Sequence, residues 1–238
     1  MSPRLELRNV TRIHGEGHTE VVSLSDVSLT VAPGELLAVM GPSGSGKSTL
    51  LALAGGIDRP TSGAVLIDGT DLATLTVAQR AALRRHGIGY VFQQYNLIDG
   101  LTAAENVALP LELDGVGRRA ATAAAIAALD TVGLAGFADR FPPQLSGGEQ
   151  QRTAIARAVV GTRTLLLADE PTGALDSVTG EQTLRLLRSH CDDGGSAVLA
   201  THDARFAAWA DRILFLEDGL LVDGTSGSDI SALGEVTS

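Results

Sequence analysis

With 238 residues, 44% of them hydrophobic and 19% charged, the chain has enough apolar side chain to bury a sizeable core and stands apart from disordered sequences. Its formal net charge of −10 argues against a nucleic-acid binder, because neutralising phosphates takes a basic face; Arg84-Arg85 and Arg118-Arg119 read as solvated helix faces. The start has no apolar run behind a basic head, and no stretch approaches the roughly 18 apolar residues a bilayer span needs. Cys191 is the single cysteine, so no internal disulfide is available. A chain that is neither secreted nor inserted is expected, in a reducing interior.

In chain order, Leu5 to Val10 and Leu24 to Val31 alternate apolar and polar residues, the pattern of a half-exposed antiparallel sheet. The short Val/Leu-rich runs Leu36 to Met40, Ala64 to Asp68, Ile88 to Phe92, Thr164 to Asp169, Ala197 to Thr201 and Ile213 to Leu216 read as strands. Several are apolar throughout, as strands buried on both faces must be, so a mostly parallel sheet covered by helices is predicted. From Tyr95 to Val160 the pattern is helical, with an alanine-rich run at Ala120 to Leu129 and a break at Pro142-Pro143. The expected organisation is one domain over residues 1–223. Within it, a nucleotide-binding core with its β-subdomain occupies 1–94 and 161–223, and a helical subdomain is inserted at 95–160. Residues 224–238, rich in Gly, Ser and Thr, are expected to form a loose tail.

The chain has 18 basic residues, of which Lys47 is the one lysine, leaving 17 arginines. A lone lysine in such a background suggests a site where a planar guanidinium will not serve, although composition alone allows chance placement. Its surroundings decide the matter. Gly41-Pro42-Ser43-Gly44-Ser45-Gly46-Lys47-Ser48 follows an apolar strand and precedes the helical run from Thr49, the strand-loop-helix setting of a phosphate-binding loop. Glycines let backbone N–H groups approach the phosphates, Lys47 would reach the β- and γ-phosphates, and the Ser48 hydroxyl would hold Mg²⁺.

A second buried strand ends in Asp169-Glu170, placing Asp169 to bind Mg²⁺ through water and Glu170 to act as general base on the attacking water. Taken alone, such a pair is more often a strand end meeting solvent. The run Leu145-Ser146-Gly147-Gly148-Glu149-Gln150-Gln151-Arg152 is a second Ser-Gly-Gly turn opening a helix, hence a second anion-binding terminus. One nucleotide does not need two cradles in one subunit, which suggests that this one serves a neighbour's ATP.

On these motifs the chain resembles the ATP-binding subunits of ABC transporters over nearly its whole length. Residues 41–48 match the Walker A motif, Leu165 to Asp169 with Glu170 the Walker B, Leu145 to Arg152 the signature, Gln93 the Q-loop, Ala174-Leu175-Asp176 the D-loop and His202 the switch histidine. The resemblance implies an α/β P-loop NTPase fold, RecA-like, with an N-terminal antiparallel β-subdomain and an inserted α-helical subdomain. It also implies ATP hydrolysis by a head-to-tail homodimer, in which each ATP lies between Gly41 to Thr49 of one chain and Ser146 and Gly148 of the other. By the same resemblance Ser48, Gln93 and Asp169 hold Mg²⁺, Glu170, His202, Gln93 and Lys47 are catalytic, and separate transmembrane permease chains are driven from the inner face of the cell membrane.

The sequence departs from the family pattern in two places. The position of an adenine-stacking aromatic is held by His14, for which stacking and a solvated loop remain equally open. Glu149 stands where glutamine is common, a change expected to be tolerated. Phe92 to Ile98 and Leu101 to Val107 resemble the macrolide-export, lipoprotein-release and cell-division branch, although Asp99-Gly100 replaces its usual proline. Export or extraction is the expected role; a regulatory or mechanical ATPase acting on an extracytoplasmic partner is the alternative, and a soluble ATPase of translation or repair would require a second domain or a long insertion.

Overall fold

The computed structural model describes residues 2–226. The chain opens with β1 (Leu5–His14), β2 (Val21–Val31) and β3 (Leu36–Met40), followed by α1 (Lys47–Ala54), β4 (Ser62–Ile67), β5 (Thr70–Asp71), α2 (Val77–Gly87) and β6 (Ile88–Val91). Three helices come next, α3 (Ala103–Leu113), α4 (Arg118–Thr131) and α5 (Gly147–Val159). The chain then alternates through β7 (Leu165–Asp169), α6 (Ser177–Asp192), β8 (Ser196–Thr201), the short α7 (Ala204–Ala207), β9 (Arg212–Glu217) and β10 (Leu220–Ser226).

Six strands form one sheet in the order β10-β9-β3-β8-β7-β6. All neighbours are parallel except β9 and β10, an antiparallel edge. The central strands β3, β7 and β8 are buried at every residue, which explains their unbroken apolar sequences. Side chains alternate across the sheet: Leu37, Val39, Leu165, Leu167 and Val198 pack toward α1 and the antiparallel sheet, while Leu36, Ala38, Leu166, Ala197 and Leu199 pack toward the helices on the other face.

The second sheet, in the order β2-β1-β4-β5, is antiparallel. Thus the run Ala64 to Asp68, read as one of the strands of a mostly parallel fold, instead pairs with β1. Helices α3, α4 and α5 pack on one another beside the parallel sheet, and Ala121, Ala125 and Leu129, four residues apart, form the buried stripe of α4. Residues 95–102, expected to be helical, are not. The fully buried Asn106 side chain takes up their backbone instead, accepting from Ile98 N–H at 2.8 Å and donating to the carbonyls of Ile98, Leu101 and Thr102 at 3.0–3.1 Å. Thr102 and Glu105 then form the capping box that starts α3. Residues 224–226 are strand in β10, held by pairing with β9; the rest of the expected tail lies outside the described residues.

Candidate active site

The loop between β3 and α1 crosses the end of the parallel sheet. Close approach fixes the glycine at its end: Gly46, the N-cap of α1, has φ 106°, and a Cβ there would collide with the Ser23 carbonyl and press on Leu24. The first N–H groups of α1 have no intrahelical acceptor and carry the positive end of the helix dipole. Lys47 is buried at 7% exposure and folds back into the loop, its Nζ donating to the carbonyls of Gly41 at 2.7 Å and Pro42 at 2.9 Å. An ammonium has three donors, so one remains for a phosphate oxygen.

Two strands away in the sheet, with β8 between, β7 delivers Asp169 and Glu170 to the same edge. A cleft of about 230 Å³ opens there; Ser43, Gly44, Gly46 to Thr49, Gln93, Asp169 and Glu170 line it, as does Ser23 of β2. Asp169 is 5% exposed, and burial pushes its carboxyl above the usual aspartate range, assisted by the nearby Glu170 charge and opposed by Ser48 and Lys47. Its Oδ1 is buried without a hydrogen-bond partner among the described residues. An orphaned, desolvated carboxylate oxygen beside a serine hydroxyl and a glutamine amide is a hard oxygen donor set, the chemistry that suits Mg²⁺.

Glu170 has φ 46°, a conformation unusual for a non-glycine residue and characteristic of functional sites. Its N–H donates to Ala200 O at 3.0 Å, which pins the turn to β8. His202, just past the end of β8, donates from Nδ1 to Glu170 Oε1 at 2.9 Å; the His202 side chain is 69% exposed and that of Glu170 13%. The structure thus unites Lys47, Ser48, Gln93, Asp169 and Glu170 on one cleft, with His202 bonded to it.

Ser43, Gly44, Gly46 and Thr49 line the same cleft, whereas His14, Ser146 and Gly148 lie elsewhere. His14 is exposed at the end of β1, opposite Val21, and does not line the cleft. Ser146 caps α5, its Oγ accepting from Glu149 N–H at 3.3 Å while its own N–H donates to Glu149 Oε2 at 2.7 Å. That backbone bond to Ser146 is the main reason the Glu149 carboxyl is held below its ordinary range. Gly148 lies against Ala174 and Leu175. Neither Ser146 nor Gly148 lines the cleft. Ser23, which does line it, escaped the sequence reading: a serine in an alternating strand carries no phosphate-site signal.

A parallel sheet bearing a phosphate loop at one strand end and an Asp-Glu pair at another defines a P-loop nucleoside triphosphatase. More narrowly, the chain belongs to the ABC transporter family, whose model matches residues 24–173, and it is an ABC-type ATPase that binds ATP. Among its relatives is the macrolide export ATP-binding/permease protein MacB of Salmonella typhimurium (strain LT2), 45% identical over 222 residues that cover 93% of this chain and 34% of that protein. Another is the probable syringafactin export ATP-binding/permease protein SyfD of Pseudomonas syringae pv. syringae, 42% identical over 98% of this chain and 36% of its own length. The chain therefore spans about a third of the length of these relatives. The ATP-binding cassette MJ0796, solved as a dimer in a post-hydrolysis state bound to ADP and Pi, superposes with a TM-score of 0.89 and 42% identity, covering 93% of this chain and 98% of that one.

Proposed function

We propose that the chain is the ATP-hydrolysing subunit of an export system, closing with a second copy of itself around two ATP molecules and driving separate membrane-spanning chains from the inner face of the cell membrane. The observation that carries this reading is the division of the two anion cradles: the Lys47 loop lines the cleft with Asp169 and Glu170, and the Ser146 turn does not. A second subunit supplies the missing cradle, as the dimeric MJ0796 cassette with ADP and Pi supports. Export is favoured by the relatives, which are named as export proteins. Among the described residues no helix is long and apolar enough to cross a membrane.

In this reading the N–H groups of Ser43 to Thr49 and the free Lys47 donor hold the β- and γ-phosphates, with Gly41 and Pro42 shaping the loop, Pro42 having no N–H to give. Ser48, Asp169 and Gln93 would hold Mg²⁺, which would supply charge neutralisation to the phosphates. Glu170 orients a water and takes its proton as the oxygen attacks the γ-phosphorus and ADP leaves. His202 holds the Glu170 carboxylate in place and faces the γ-phosphate. Ser146 accepts from Glu149 N–H, which leaves its own hydroxyl proton to donate to a phosphate oxygen of the partner's ATP. His14 lies near the outer end of β1, where an adenine ring would rest. The half-buried Tyr95, Leu97 and Leu101 with the exposed Ile98 provide an apolar surface for a permease's cytoplasmic segment.

Replacing Glu170 with Gln keeps the shape and removes the base, and is expected to slow hydrolysis roughly 10²–10⁴-fold. Gel filtration of Glu170→Gln should then show a monomer without nucleotide and a dimer with ATP, since ligand bound only by the closed state stabilises that state. Adding Ser146→Arg should abolish the dimer. A Glu170→Gln protein with ATP bound that stays monomeric would overturn the shared site.

A further inference from the structure

Directly after Gln93 the backbone does something costly. Tyr95 and Asn96 have φ values of 33° and 49°, two consecutive non-glycine residues in the left-handed region, where a side chain crowds its own carbonyl. The Asn96 N–H turns back onto the Gln94 carbonyl. Such a turn persists only where its surroundings over-determine it.

The element that does so is α5. Arg157, in the last turn of that helix, donates from one terminal nitrogen to Asn96 O at 2.5 Å and from the other to Tyr95 O at 2.7 Å. The planar guanidinium fork thus grips both strained peptides at once, a geometry a lysine would not reproduce. Burial lowers the pKa of Arg157, with no carboxylate opposing the shift; its charge is met by carbonyls alone. Desolvating a cation without an anionic partner is unfavourable, so this arrangement has a cost that calls for an explanation.

The turn also comes close to the opposite end of the same helix. A Cβ on Gly147, the first residue of α5, would meet the Tyr95 hydroxyl at 3.2 Å. The turn after Gln93 therefore lies against α5 at both ends, with the Tyr95 hydroxyl close to its start and the Arg157 fork bonded near its finish. Gln93 lines the cleft of its own subunit, whereas Ser146 caps this helix.

We infer that Arg157 is a positioning residue, which locks the strained turn of Tyr95 and Asn96 onto α5 and so holds Gln93 in register with the helix that presents Ser146 to the neighbouring subunit's nucleotide. The inference rests on the proposed roles of Gln93 and Ser146. It adds that the two sites a subunit serves are joined through one side chain, so that displacement of α5 by a partner's phosphate is felt at Gln93.

The test uses Arg157→Met, which keeps an apolar stem and removes the fork. Single-turnover hydrolysis should fall about ten-fold while MgATP affinity stays within about two-fold, because the phosphate loop is untouched. Amide exchange across Gln93 to Leu97 should quicken about ten-fold. Adding Asn96→Gly, which removes the left-handed penalty, should recover about three- to ten-fold of the lost rate; a merely structural defect would not be repaired by a glycine. If Arg157→Met fails to fold, Arg157→Lys carries the same comparison, with and without Asn96→Gly. Unchanged hydrolysis or exchange, or no recovery with Asn96→Gly, overturns the inference. Gln93→Ala separates the two layers: if it hydrolyses ATP normally, the role of Gln93 fails and the inference with it, whereas a slow Gln93→Ala beside a normal Arg157→Met removes the inference alone.

Discussion

Asp169 shows at the scale of one residue how function is set against stability. Burial raises its pKa, so the native state favours the protonated acid more than the unfolded chain does. The sign follows from linkage: this group's contribution to stability is lost as pH rises from the unfolded value through the higher native one, and at neutral pH the buried carboxylate opposes folding. Asp169→Asn should therefore raise the Tm of the nucleotide-free protein at about pH 7 by roughly 2–4 °C, the equivalent of about 1 kcal/mol for a chain of this size. The gap between the two proteins should close when melts are run at about pH 3, where both carry a neutral side chain. The same substitution should abolish Mg²⁺-dependent hydrolysis. An Asp169→Asn protein less stable than its parent at neutral pH would show that the carboxylate is already compensated within the fold.

At the scale of elements, the segment between β6 and α3 is held by polar groups where apolar packing is thin. Asn106 carries it, with all of its side-chain bonds going to the backbone of residues 98–102. Asn106→Ala would remove four bonds and leave the Ile98 N–H and the Leu101 carbonyl without a partner among the described residues; it is expected to cost at least about 2 kcal/mol, read as a Tm drop of roughly 4–8 °C. A drop under about 1 °C, equivalent to less than about 0.5 kcal/mol, would mean that water replaces the amide without loss. The periodicity that predicts helix throughout 95–160 fails here for a physical reason. Ile98 is exposed and Leu97 and Leu101 are only half-buried, and a hydrophobic pattern carries no record of which apolar residues a fold leaves uncovered.

At the scale of the whole molecule, the charge that argues against nucleic acid also opposes the proposed dimer. Two chains of formal charge −10, with centres roughly 40 Å apart, repel by about 10 kcal/mol in unscreened water. Screening at about 0.15 M salt, with a Debye length of about 8 Å, removes most of that. The ATP concentration that half-assembles the Glu170→Gln dimer should consequently fall at least about three-fold when NaCl is raised from about 20 to about 150 mM. A rise instead would mean that attraction between the bound phosphates and the partner's cradle outweighs the repulsion between whole subunits.

The sequence alone determined the chemistry-bearing motifs and most of the parallel strands. A phosphate loop is a local object: glycines, a lysine and a helix start within a few residues dictate its shape, and central strands reveal themselves because both faces must be apolar. The Asp169-Glu170 pair is likewise legible from its strand. Only the tertiary structure decided which distant pieces meet. It moved the Ala64 to Asp68 run to the antiparallel sheet, brought Ser23 to the cleft, bonded His202 to Glu170 and set Arg157 on the turn after Gln93. Arg157 stands between two alanines in a helix, where nothing local distinguishes an arginine that faces solvent from one that grips a backbone 61 positions away. Long-range pairing of that kind is set by how the helices stack on the sheet, which no local pattern encodes.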